Sequence, residues 1–528
     1  MSQASSKSSK ESPKSIKIFS GAIHGFDGIP IEVEADATNG MHTFSIVGLP
    51  DKSVDESKDR IGSAIKNCGL TPPLHTTKKI VINLAPANIK KEGPAFDLAI
   101  ALGYLAVTGQ IPIPNHDSIF LGELSLDGSV KSIRGVLPIA ISARNAGFKK
   151  IYVPHGNAKE ASLISDIEIY PVSHLKNLLF HLIGRYPISP APNISADSFE
   201  LEDTVNHQKD DDNDIKFIKG NKLAKRALLI SACGGHNILL HGPPGSGKSM
   251  LAKSLPTILP NLSYEESLEV TQIYSIAGLA KHNSLITKRP FRTPHHSASA
   301  VAITGGGAIP KPGEISLAHH GVLFLDELPE YQRPVIEALR QPLEDSTISI
   351  SRANSSITYP ANFQLVAAMN PCPCGMNGSP NGGCLCSAQS IERYQRKISG
   401  PLLDRIDLHV SVPYENLSMD EPNNIYETSE NFKNIVNKTR LIQKERNKSS
   451  SNYLNSQIKP SKIEEICSIN KEARDMLDMS LSKNYISRRG YYKILKIART
   501  IADIDGAQAI EQKHIAEALT YRSQIKSS

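Results

Sequence analysis

Lys248 and Ser249 follow directly on a glycine-rich turn, Gly242-Pro243-Pro244-Gly245-Ser246-Gly247. A short apolar run, Ile238-Leu239-Leu240, leads into the turn, and an amphipathic helical pattern leaves it. This order suits a bound polyphosphate. Glycines let successive backbone N–H groups point inward at oxygen atoms, and a helix N-terminus adds the positive end of its dipole. Lys248 would reach the β- and γ-phosphates as a point charge, and Ser249 would ligate Mg²⁺. The pattern G-x-x-x-x-G-K-[ST] also arises by chance, but the strand before it and the helix after it are the context it needs.

Downstream residues supply the rest of a hydrolytic set. Gly321-Val322-Leu323-Phe324-Leu325 is an apolar strand ending in two carboxylates, Asp326 and Glu327. At the C-terminal edge of a parallel sheet, Asp326 would hold the Mg²⁺ shell and Glu327 would polarise the attacking water as general base. The bland reading is a strand running into an acidic helix cap. A second apolar strand, Phe363–Ala368, ends in Met369-Asn370, where Asn370 could hydrogen-bond the water or the γ-phosphate. Arg405, in Gly400-Pro401-Leu402-Leu403-Asp404-Arg405-Ile406-Asp407, reads either as a surface ion pair or as a finger inserted into a neighbouring subunit's site. There its guanidinium would stabilise charge on the transferred phosphoryl group. Arg489 opens a helix over Tyr491–Ile504 and could touch the γ-phosphate from a C-terminal lid.

These residues need a scaffold, and 528 residues are too many for a single core. Residues 1–15 form a polar tail, expected to be disordered and lacking the apolar stretch of a secretory signal. Residues 16–185 carry strand-like runs at Thr43–Val47, Ile80–Leu84, Ile119–Leu121 and Lys150–Val153, and helical runs at Val54–Cys68, Phe96–Thr108 and Leu137–Ala146. Residues 186–214, rich in Pro, Ser and Asp, read as an exposed linker. Residues 215–413 would form the nucleotide-binding α/β core, 414–460 a polar connector, helical around Phe432–Arg446 and with no assignable core, and 461–528 a helical lid. No apolar run is long enough to span a membrane. The seven cysteines are an odd number and no disulfide scaffold, so a cytoplasmic location is expected. The net charge of +6 permits nucleic-acid binding without suggesting it.

Together the motifs resemble the ComM/YifB family, the magnesium-chelatase-like branch of the AAA+ ATPases. The resemblance runs from about Ile16 to Arg522. Its most specific strings are F-R-T-P-H-H-S-A-S (291–299), G-G-G-A-I-P-K-P-G-E-I-S-L-A-H (305–319) and G-V-L-F-L-D-E-L-P-E (321–330), together with A-A-M-N-P-C-P-C-G (367–375), G-P-L-L-D-R-I-D-L-H (400–409) and R-G-Y-Y-K-I-L-K-I-A-R-T-I-A-D (489–503). It implies that Asn370 is sensor 1, Arg405 the trans-acting finger and Arg489 sensor 2. It also implies an ATP-driven ring, usually a hexamer, that drives DNA branch migration during recombination and uptake of transforming DNA. The rival implication is a remodelling ATPase acting on a protein or metal-insertion partner, as magnesium chelatase does. One departure stands out: Gly220-Asn221 replaces the family's common Gly-Gln ahead of the core, where a contact to the adenine is expected.

The N-terminal block resembles the proteolytic domain of Lon proteases through G-P-A-F-D-L-A-I-A-L-G-Y-L-A-V-T-G (93–109) and L-G-E-L-S-L-D-G-S-V (121–130). The position matching the catalytic serine is Ala95 and that matching the lysine is Leu137, so neither nucleophile nor base is present. The resemblance therefore implies an α/β fold without peptidase chemistry.

In a ring, two projecting loops would face the pore and grip DNA phosphates without sequence preference, through Lys311 within 291–319 and through Arg352 in a hairpin over Thr347–Tyr359. The alternative is that these loops make only subunit contacts. The adjacent pairs His295-His296 and His319-His320 read as capping and hydrogen-bonding residues. Cys372, Cys374, Cys384 and Cys386 are either four soft ligands for one Zn²⁺ or four reduced thiols in a proline-stiffened loop.

Overall fold

The computed structural model describes residues 15–41, 43–193, 212–280, 285–307, 310–352, 355–378, 382–415, 428–447, 453–483 and 486–522. The 1–15 tail, apart from residue 15, and most of the 186–214 linker lie outside them. The described residues form two compact units, the first within Met1–Val205 and Ser267–Ile286, the second within Asn206–Glu266 and Thr287–Ser528.

The first unit is built on a mixed seven-stranded sheet. Strands β1 (Ser15–His24) and β2 (Asp27–Asn39) form an antiparallel hairpin, closed by Gly25 and Phe26 with Gly25 at φ 65°. The sheet is completed by β3 (Thr43–Val47), β4 (Lys78–Ala85), β5 (Ser118–Phe120), β8 (Lys150–Pro154) and β9 (Glu168–Val172), in the order β3-β4-β2-β1-β5-β8-β9. A two-stranded ribbon, β6 (Glu123–Leu124) with β7 (Val130–Lys131), lies outside it. Helix Asp97–Val107 is buried at every position, as its nearly unbroken apolar sequence requires. Asp97 at its start is satisfied by Arg60 at 2.9 Å and by the Leu124 amide at 3.1 Å. Leu137 is fully buried in a second apolar cluster, and its amide donates to Glu160 at 3.1 Å. Neither Leu137 nor Ala95 carries a group that could serve peptidase chemistry.

The second unit holds a five-stranded parallel sheet. Its elements in chain order are β10 (Ile238–His241), β11 (Phe291–Arg292), the ribbon β12 (Gly305–Gly306) with β13 (Lys311–Pro312), β14 (Val322–Leu325), the hairpin β15 (Thr347–Arg352) with β16 (Ser355–Pro360), β17 (Gln364–Met369) and β18 (Leu408–Ser411). The sheet order is β11-β14-β17-β10-β18, all parallel. Parallel strands bring their C-terminal ends to one edge, where ligands bind in open α/β sheets.

One apolar cluster runs from this sheet into the C-terminal helices, joining Leu240, Val366 and Val410 to Leu251 and Leu255, and then to Ile494, Ile497, Ile501 and Ile515. The polar helix Ser429–Arg446 is part of this packing. It buries Val436, and it also buries polar groups that meet backbone left open at the end of helix Lys222–Gly234. Arg440 donates to the Ala232 carbonyl at 2.6 and 3.0 Å, and Gln443 to that of Cys233 at 3.2 Å. Helix Arg488–Ile504 is tied to the start of β18 by Lys493, whose Nζ donates to Asp407 Oδ1 at 2.6 Å. The Lys493 charge, with the His236 imidazole beside it, holds the buried Asp407 carboxyl far below the usual carboxylate range despite its burial.

Candidate active site

The phosphate loop leaves β10 at His241 and enters helix Lys248–Ile258. Its glycines answer to geometry. Gly245 and Gly247 lie at φ 77° and 90°, and a Cβ at Gly242 would stand 2.1 Å from the Val412 carbonyl oxygen. Register places the neighbouring tips level with it: His241 pairs with Met369, and Leu325 with Ala367. Asp326 and Glu327 therefore follow β14, and Asn370 follows β17, at the same edge as the loop.

Ser249 Oγ donates to Asp326 Oδ2 at 2.9 Å, which joins the two residues expected around Mg²⁺. Lys248 is buried, and Nζ donates to the carbonyls of Gly242 and Pro243 at 2.8 and 2.7 Å. Burial lowers its pKa, partly offset by Asp326. Glu327 sits in the left-handed region at φ 51°, with its amide donating to Asp326 Oδ1 at 2.9 Å. This backbone turn leaves its carboxylate half exposed at the sheet edge.

Two buried atoms test whether the residues fit a nucleotide. Ser246 Oγ and Asn221 Oδ1 have no hydrogen-bond partner among the described residues. Asn221 lies against the loop, with Nδ2 3.4 Å from the Ser246 carbonyl and its amide donating to Glu415 Oε2 at 3.0 Å. Unpartnered buried polar atoms beside a glycine-rich turn are costly unless a polar ligand meets them. They fit a nucleotide phosphate, with Lys248 and the loop amides holding its oxygens and Ser249 and Asp326 its Mg²⁺.

Two arrangements at the site join residues far apart in the chain. His296, read with His295 as a capping and hydrogen-bonding residue, stands with Nδ1 3.3 Å from Glu327 Oε2, and His295 bonds locally, to Ser297 Oγ at 2.7 Å. Arg405 and Arg489 both bind Oε1 of Glu344, Arg405 at 2.7 Å. Arg405 also donates to the Pro401 carbonyl at 2.8 Å, and no hydrogen bond or ion pair links either arginine to the phosphate loop among the described residues. The chain thus gathers these two arginines on one carboxylate of its own. No local motif marks Glu344, and the string around His296 does not disclose Glu327 as its partner, because the partners of both come from distant segments.

The two loops expected to meet DNA pack together. Tyr359 Oη donates to the Pro310 carbonyl at 2.8 Å, and a Cβ at Gly305 would lie 2.8 Å from Ile350 Cδ1. Lys311 is exposed on β13, and Arg352 pairs with Ser355 as the last pair of the β15–β16 hairpin, on either side of the connection between the two strands. The sulfur atoms of Cys372, Cys374, Cys384 and Cys386 all lie within 4.8 Å of one another. Among the described residues no helix is long and apolar enough to cross a membrane.

A phosphate loop between a parallel strand and a helix, with paired acids on β14 and the Asn370-tipped strand β17 between the two, defines a P-loop ATPase fold of the AAA+ class. Residues 214–419 match the model for magnesium chelatase, subunit ChlI; residues 33–157 match that for subunit ChlI of Mg-chelatase, and residues 426–522 that for the subunit ChlI C-terminal region. The chain is 43% identical over 512 residues to the competence protein ComM of Haemophilus influenzae, spanning 96% of this chain and 97% of that one. It is 40% identical over 511 residues to the YifB protein of Escherichia coli, spanning 96% of each. Over 150 residues, 28% of this chain and 17% of the other, it is 30% identical to the Lon protease of Azorhizobium caulinodans. The chain belongs to the ComM/YifB family of magnesium-chelatase-like AAA+ ATPases.

Proposed function

We propose that the chain hydrolyses ATP as a subunit of a homo-oligomeric ring, a hexamer, and couples hydrolysis to movement along DNA as a branch-migration or helicase motor in recombination or transformation. The observation that carries the reading is the Ser249–Asp326 contact at 2.9 Å beside Lys248 and Glu327, in a chain alike along its whole length to a competence protein. In this reading Lys248, the loop amides and Asn370 hold the phosphates, and Ser249 and Asp326 would hold a Mg²⁺ that would supply charge neutralisation there. Glu327 takes the proton of the attacking water, and Arg405 and Arg489 leave Glu344 to meet the phosphates of an adjoining subunit. Lys311 and Arg352, on adjacent loops, grip the DNA backbone.

A second reading, remodelling of a protein or metal-insertion partner, is favoured by the match of three magnesium chelatase models along the chain. Phosphate release measured with and without forked or four-way DNA separates the two. Stimulation by DNA supports the motor; a rate indifferent to DNA and raised by a protein partner supports the remodeller.

A further inference from the structure

Cys372 follows three residues after the end of β17, and Cys374, Cys384 and Cys386 lie in the loop that leads to helix Ala388–Gln395. All four are free thiols. The sulfur of Cys372 stands 3.3 Å from that of Cys374 and 3.7 Å from that of Cys384, and Cys374 and Cys384 are 3.7 Å apart. A tetrahedral site with Zn–S bonds of about 2.3 Å requires sulfurs about 3.8 Å apart, close to the spacing of these three, and Cys386 Sγ lies within 4.8 Å of each of them as a fourth ligand.

Backbone amides surround the sulfurs. The Asn377 N–H donates to Cys372 Sγ at 3.3 Å, and the N–H groups of Met376, Cys386 and Cys374 are directed at the sulfurs of Cys374, Cys384 and Cys386. Four thiolates around one divalent ion carry excess negative charge, and N–H donors aimed at each sulfur are the outer contacts that such a centre uses. Four protein ligands close the coordination sphere, which makes the site structural rather than catalytic.

The loop also touches the nucleotide site. Gly375, between the second and third ligands and at φ 79°, packs so closely on the phosphate loop that a Cβ there would lie 2.7 Å from Pro244 Cδ and 3.8 Å from Asn370 Cγ. We propose that Cys372, Cys374, Cys384 and Cys386 bind one structural Zn²⁺, and that the metal braces Gly375 against Pro244 and so fixes the phosphate loop for nucleotide. The bracing half rests on the ATPase reading; the metal half does not.

The test uses the full-length chain, with metal content measured by mass spectrometry and nucleotide affinity by a fluorescent ATP analogue. Wild type should carry about one zinc per chain. The double variant Cys384→Ser, Cys386→Ser should lose it and bind the analogue roughly tenfold more weakly, while Cys68→Ser retains both. Wild type refolded with Co²⁺ alone should show the visible bands of tetrahedral cobalt–thiolate, which keeps the metal claim testable if the double variant fails to fold. Lys248→Ala should bind the analogue roughly 10–100-fold more weakly and keep the zinc, so a failure of the nucleotide reading is told apart from a failure of this one. Zinc-free folded wild type without cobalt–thiolate bands, or zinc retained by the double variant, overturns the site. Loss of zinc with analogue affinity unchanged overturns the brace.

Discussion

Ser249 Oγ donates to Asp326 Oδ2 at 2.9 Å, linking the first turn of the helix after the phosphate loop to the tip of β14. Asp326→Asn keeps the shape and removes the charge that a Mg²⁺ shell needs. Metal-dependent phosphate release should fall by about 10²-fold or more, with nucleotide still bound. Lys248→Ala should instead weaken binding by roughly 10–100-fold, the worth of a charge-assisted hydrogen bond. Equilibrium titration with a fluorescent nucleotide, alongside steady-state turnover, distinguishes the two.

Glu327→Gln should bind ATP and turn it over at least about 10²-fold more slowly, since an amide has the volume of the acid but cannot accept the proton. His296, 3.3 Å from Glu327, should act as a positioning residue. His296→Ala should lower kcat by a smaller factor and leave KM nearly unchanged, whereas His295→Ala should change neither. Equal effects from the two histidines would remove His296 from the site.

Arg405 and Arg489 share Glu344 and have no ion pair with the phosphate loop of their own chain among the described residues. If both act on an adjoining subunit, Arg405→Ala rings and Glu327→Gln rings should each be inactive, and mixing them should restore part of the ATPase. Glu344→Gln should loosen both arginines, changing the rate without loss of nucleotide binding. No recovery in rings shown to be mixed would assign Arg405 to its own chain's site.

His409 is buried on β18, where its amide donates to the Tyr521 carbonyl at 2.7 Å. Burial, helped by the charges of Arg522 and Lys493, pushes its pKa down to about 3. The unfolded chain, with an ordinary histidine pKa near 6.5, binds the proton more readily. Stability from this group is therefore full above that value and is lost as pH falls toward 3. Between pH 7 and 5 the loss should be about 2 kcal/mol. Denaturant titrations at the two pH values, with His409→Gln for comparison, should show a smaller pH effect in the variant.

Neutralising Lys311 and Arg352 together should leave basal ATPase nearly intact and weaken DNA binding. The slope of log affinity against log salt should become shallower by about 0.7–0.9 for each phosphate no longer engaged. An unchanged affinity and slope in assembled rings would move the DNA-binding surface away from these loops.

The phosphate loop, the acid-tipped strand and the β15–β16 hairpin are legible in the sequence because each is a local pattern: glycine spacing, an unbroken apolar run, or alternation. The hairpin of β1 and β2 is not among the strand-like runs taken from the sequence, although Ile31-Glu32-Val33-Glu34-Ala35 alternates as its buried and half-buried faces require; Ser, Gly and Pro interrupt the pattern only outside that stretch. Helix Ser429–Arg446 is legible as a helix, but its packing is not, because Arg440 and Gln443 are buried by capping another helix rather than by apolar area. The contacts of Glu344 with Arg405 and Arg489, and of His296 with Glu327, depend on segments far apart in the chain, which no local spacing encodes.

The motor reading is tested most directly by branch migration on a labelled four-way DNA junction with ATP and Mg²⁺, with Glu327→Gln rings as control. A DNA motor should resolve the junction as wild type and fail to do so as the variant, and its ATPase rate should rise with junction concentration. A wild-type ring that hydrolyses ATP but leaves the junction intact, at a rate indifferent to DNA, would contradict that reading.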